Sequence, residues 1–102
     1  MEALKLVNEL RVAAGCAPLD DLPKGLKHVN NACPIALALR DIGLDILVGC
    51  GAVYFWNEGL TALAVKVWKV PPNMMPGIVQ LPNVLEEWVA EFDAGSHPEY
   101  IL

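Results

Sequence analysis

A chain of 102 residues has the length of one domain, and 55% hydrophobic residues with a mean hydropathy of +0.41 give it more apolar surface than so small a core absorbs. Its net charge of −5 is confined to one end: residues 1–69 set seven acidic against seven basic side chains, while 70–102 carry Glu86, Glu87, Glu91, Asp93 and Glu99 and no Lys or Arg. That balance lacks the basic footprint that nucleic acid or an anionic membrane requires, and neither is an expected partner.

Residues 2–14 carry Ala3, Val7, Leu10 and Ala14 on one stripe, with Glu2, Lys5, Asn8, Glu9 and Arg11 opposite. This predicts an amphipathic helix, with Gly15 as the residue that turns left-handed after it. Pro18, Asp20, Asp21 and Pro23 then punctuate a loop to about Gly25. A second helix is expected over about 32–42, capped by Asn30 or Asn31, with Pro34 in its first turn and Gly43 at its end. From Ala32 to Leu39 it bears no charge, which marks a core helix.

Leu44 to Trp56 is rich in aliphatic and aromatic residues and reads as a strand bent at Gly49-Cys50-Gly51. Asn57-Glu58-Gly59 reads as a tight turn, and the alternation from Thr61 to Val70 predicts the return strand of a hairpin, stopped by Pro71-Pro72. Ile78-Val79-Gln80 adds a short strand. The last element, 82–94, lines Val84, Leu85, Trp88, Val89 and Phe92 along one helical face, turns Glu86, Glu87, Glu91 and Asp93 outward, and stops at Gly95. The order α-α-β-β-(β)-α predicts a single α+β domain, an antiparallel hairpin sheet packed by helices.

The longest run free of polar side chains, Ile46 to Trp56, has eleven residues, where a spanning helix needs roughly twenty. The first residues lack a basic start, apolar run and cleavage site, and the three cysteines, Cys16, Cys33 and Cys50, are an odd number. Reduced thiols and a cytoplasmic location are therefore expected. No two cysteines stand closer than seventeen residues, so the close ligand pairs of structural zinc are missing, and no metal or cofactor is expected.

Two kinds of function fit these residues. In the first, Cys33 near a helix start is a nucleophile with His28 as its base, in a small enzyme or ligand-binding domain, although no third group orients the pair. In the second, the protein is a non-enzymatic interaction or regulatory module. Tyr54 and Trp56 share one strand face opposite Phe55, so one face is either core or contact surface. With Trp68 and the acidic residues Glu86, Glu87 and Glu91 they are the expected interaction residues, for a protein partner or a second copy in a homo-oligomer. The second reading is preferred, because no phosphate-binding, nucleophile-elbow or metalloprotease motif occurs in the chain.

The segments Cys33-Pro34-Ile35-Ala36-Leu37-Ala38-Leu39-Arg40 and Phe92-Asp93-Ala94-Gly95, with Pro98-Glu99, resemble short uncharacterised proteins of actinobacteria and their phages. The resemblance covers about fourteen residues. It implies an accessory protein of a phage, plasmid or genomic island, and it assigns no catalytic or binding residue.

Overall fold

The computed structural model describes residues 1–43, 46–49, 51–73, 75 and 77–102. Leu44, where the strand reading begins, and Cys50 and Met74 lie outside the described residues.

Helix α1, Glu2–Ala13, buries Ala3, Val7 and Leu10 as its stripe demands. Gly15 takes φ +90°, and the N–H groups of Gly15 and Cys16 donate to the carbonyls of Val12 (3.0 Å) and Arg11 (2.8 Å), closing the helix with the two bonds of a Schellman motif. Arg11, expected on the solvent side, is instead only 5% exposed. Its guanidinium explains this: Nη1 donates to the Ala38 carbonyl at 2.7 Å and to Asp41 Oδ2 at 2.8 Å, and Nε donates to the Ala17 carbonyl at 3.0 Å. A buried cation is tolerated when its donors are satisfied in this way.

Helix α2 is shorter than expected, Pro34–Leu39, and runs on as a single 3₁₀ turn over Arg40–Ile42. Neither asparagine caps it. Cys33 does, its Sγ accepting the Ala36 N–H at 3.5 Å, while Asn30 uses its carbonyl to receive the Val48 N–H at 2.8 Å. Pro34 sits at the first helical position, as its missing donor allows.

The segment expected as the return strand is a helix. Helix α3 spans Glu58–Trp68, and Asn57, expected in a tight turn, is its N-cap, with Oδ1 accepting the Leu60 N–H at 3.0 Å. Alternation from Leu63 to Val70 is apolar on both faces, so it never distinguished period two from period 3.6. The cap at Asn57 and the i, i+4 series Leu60, Ala64, Trp68 decide for helix, and Ala64 and Trp68 are the residues it buries.

The hairpin forms instead between β1, Leu47–Val48, and β2, Ala52–Tyr54, and β3, Ile78–Gln80, joins the far side of β2. The sheet is antiparallel in the order β1-β2-β3. Helix α4, Asn83–Asp93, matches the expected acidic helix, and a second Schellman pair follows it at Gly95 (φ +86°). The observed order, α-α-β-β-α-β-α, is an α+β fold.

Buried residues from every helix and strand form one hydrophobic cluster, with α1 packed against α2, α3 and α4. Val48, Val53, Phe55 and Val79 supply the inner face of the sheet. The outer face carries Leu47, Ala52, Tyr54, Ile78 and Gln80, none of them buried. Leu47, Tyr54 and Ile78 stand directly opposite one another across the three strands, an apolar row on the side away from the core.

Candidate functional site

The apolar row ends at Trp56. Its side chain is 63% exposed, and its ring stacks on Tyr54 with centroids 6.0 Å apart and planes 27° from parallel. The backbone beneath it is left-handed, with φ +56°. For a bulky L-residue that conformation costs about 1–2 kcal/mol, because Cβ crowds the following carbonyl. Gly77, at φ +83°, faces it across the end of the sheet, and its carbonyl accepts the Phe55 N–H at 2.7 Å. A Cβ at Gly77 would stand 3.2 Å from the Trp56 N and Cα atoms, so the approach requires glycine there.

Two depressions include Trp56 in their linings. One, of about 580 Å³, is lined by Ile42, Gly43, Phe55, Trp56, Asn57, Gly59 and Leu60. The other, of about 220 Å³, is lined by Trp56, Asn57, Glu58 and Gly77. The larger takes Ile42 from the 3₁₀ turn after α2 and Leu60 from the first turn of α3, and the smaller takes the acidic residue Glu58. Neither is lined by a Lys or Arg among the described residues.

The expected interaction residues divide. Tyr54 and Trp56 come together on the open face. Trp68 does not join them: it is 6% exposed, and its indole N–H donates to the Leu6 carbonyl at 2.9 Å, so it belongs to the core between α3 and α1. Glu86, Glu87 and Glu91 are exposed on α4. Glu86 reaches the sheet, since a Cβ on Gly51 at the hairpin tip would lie 3.6–3.7 Å from its carboxylate. Glu91 is engaged by His97, with Oε1 3.0 Å from Nε2. Nothing in the sequence pattern singles out Ile42, Gly43 and Leu60 as site residues, because a strand over 61–70 would leave out the part of the lining that α3 provides.

Cys33 and His28 are not joined. The Cys33 thiol is 3% exposed and caps α2, and burial, outweighing its hydrogen bonds from backbone N–H groups, pushes its pKa up. A nucleophilic thiol needs the opposite shift. His28 is exposed, left-handed at φ +58°, and turned to Asp93, whose Oδ1 accepts its backbone N–H at 2.9 Å.

Among the described residues no three His, Cys, Asp or Glu side chains group as metal ligands, and no helix is long and apolar enough to cross a membrane. No protein-family model matches the chain, and no curated protein or solved structure matches it.

Proposed function

We propose that the protein is a non-enzymatic interaction module that docks a protein partner on the outer face of its sheet, with Trp56 as the anchor. The observation that carries this reading is the exposure of Trp56 on left-handed backbone. An aromatic residue held in water at a conformational cost contributes little to folding, and such strain is typical of binding sites. Tryptophan is also among the residues that dominate interface energetics.

The occupant that fits is a basic partner rather than a second copy. The chain carries −5, Glu58 lines the smaller depression with Trp56, and the Glu86 carboxylate lies by Gly51 at the hairpin tip. A twofold pairing through this face would bring those carboxylates of both copies to one seam. Acidic residues at the margin raise the encounter rate of a basic partner and orient it, and the exposed Glu87 adds to that field. The resemblance to phage and actinobacterial proteins supports an accessory role of this kind.

The test compares captures from a lysate of the encoding organism by the wild type, Trp56→Ala and Val12→Ser, the last altering an exposed apolar residue on α1. A basic protein retained by the wild type and by Val12→Ser, and lost with Trp56→Ala, is the expected result. Light scattering runs beside it: a dimer that dissociates on Trp56→Ala would replace the basic partner with a second copy. Capture indifferent to Trp56 sinks the reading.

A further inference from the structure

The two depressions beside Trp56 differ in chemistry, and that difference specifies more than a generic contact. On one side, Ile42, Phe55 and Leu60 line an apolar groove. The other is a notch lined by Glu58 together with Trp56, Asn57 and Gly77. The Asn57 side-chain oxygen accepts the Leu60 N–H, and Glu58 is the charged residue of that lining. An aromatic face with a carboxylate at its edge suits a guanidinium, which stacks flat on the ring and presents its N–H fork in the plane. Side chains at i and i+2 of an extended segment stand about 7 Å apart on the same side, so two of them can straddle one ring.

We infer that Trp56 divides a bound extended segment of the partner, which places an aliphatic side chain in the groove at Leu60 and an arginine two residues away over the indole against Glu58. This rests on the docking reading above and gives its basic partner a local sequence requirement. Gly43 sets the depth of the groove: a Cβ there would stand 2.8 Å from Leu60 Cδ1, so glycine at that position keeps the Leu60 side chain in its place on the wall. Among the described residues neither lining holds a Lys or Arg, so no basic side chain shares the notch with Glu58, which stands in the first turn of α3.

Random dodecapeptides displayed on phage are selected on the wild-type protein and counter-selected on Trp56→Ala, with near-ultraviolet circular dichroism to confirm that both are folded. Trp56→Gly, which suits the left-handed backbone, serves as a second counter-selection. The expected binders carry Arg two positions from Leu, Ile or Met, and replacing that Arg with Ala weakens binding about tenfold. On Glu58→Gln the same replacement weakens it less than about threefold, and selection on Glu58→Arg exchanges the Arg for Asp or Glu. An Arg whose effect is unchanged on Glu58→Gln overturns the straddled-ring assignment while the docking reading stands. Trp56-dependent binders without a basic residue overturn that assignment and the basic partner, leaving only Trp56 as the anchor. Binders indifferent to both Trp56 variants, or none at all, overturn the two together.

Discussion

Two aromatic stacks on opposite parts of the molecule have had opposite treatment. At the C-terminal corner, Trp88 lies nearly parallel to Phe92 (5.5 Å, 7°) and to His97 (4.8 Å, 9°), and meets Tyr100 edge-on (5.6 Å). Polar groups there are paired: the Tyr100 hydroxyl donates to Asp21 at 2.8 Å, and the Tyr100 carbonyl receives the Gly25 N–H at 2.8 Å. Its backbone is relaxed and Trp88 is buried. At the sheet end, Trp56 stacks on one ring only, is exposed, and sits on strained backbone. The first stack is explained by stability alone. The second is not, and a tryptophan that folding does not explain is the one to assign to recognition.

The comparison breaks most visibly on truncation. Trp88→Ala should lower unfolding free energy by about 3–5 kcal/mol in urea melts, against less than about 0.5 kcal/mol for Trp56→Ala. Equal losses would mean that Trp56 is a packing residue after all. Next in size is Gly25→Ala, at about 3 kcal/mol. Its Cβ would stand 2.4 Å from the Ala32 carbonyl oxygen and 2.7 Å from Pro34 N, both backbone atoms that cannot turn aside, where Gly25 also bonds to Tyr100 and Leu102. A mild effect there would show that the corner is looser than its hydrogen bonds imply.

Trp56→Gly and Trp56→Ala remove the same ring, but only glycine relieves the left-handed backbone. The glycine variant should be the more stable of the two by about 1 kcal/mol, and parity would remove strain from the argument for a binding role. Smallest is Tyr100→Phe, at about 0.5–1 kcal/mol near neutral pH for the lost hydroxyl bond. It has a signature in pH. Burial, and then the bond to Asp21, push the Tyr100 pKa from its ordinary 10 to about 12. The folded protein then keeps a proton that the unfolded chain gives up, so this contribution is whole below pH 10 and is lost as pH rises toward about 12. The wild type should lose stability over that interval more steeply than Tyr100→Phe, and parallel curves would contradict the assignment.

The elements that could be read from the sequence are those marked by their own ends. Helices α1 and α4 show an unambiguous apolar stripe and a following glycine, and both glycines take the left-handed turn that closes the helix. Helix α3 was misread because Leu63, Val65, Val67 and Val70 fill both faces of a strand as well as most of a helix. The decisive signal, Asn57 three residues before Leu60, looked equally like a turn. Tyr54 and Trp56 were legible as a shared face. Nothing local marks Trp56 as left-handed, and the glycine that lets a second backbone approach it, Gly77, lies twenty-one residues away. Trp68 and Arg11 were misplaced for the same reason, as each is buried by partners distant in sequence.

The Arg11 contacts reach further than the packing of α1. Asp41, which Arg11 grips at 2.8 Å, belongs to the 3₁₀ turn that carries Ile42 into the wall of the groove. Any segment entering that groove meets a wall already fixed by a buried guanidinium, and is spared the roughly 0.5–1.5 kcal/mol that immobilising each free side chain would take from its affinity. On the proposed docking reading, recognition at the sheet end is pre-organised from the first helix, and its strength is open to tuning at the buried Arg11.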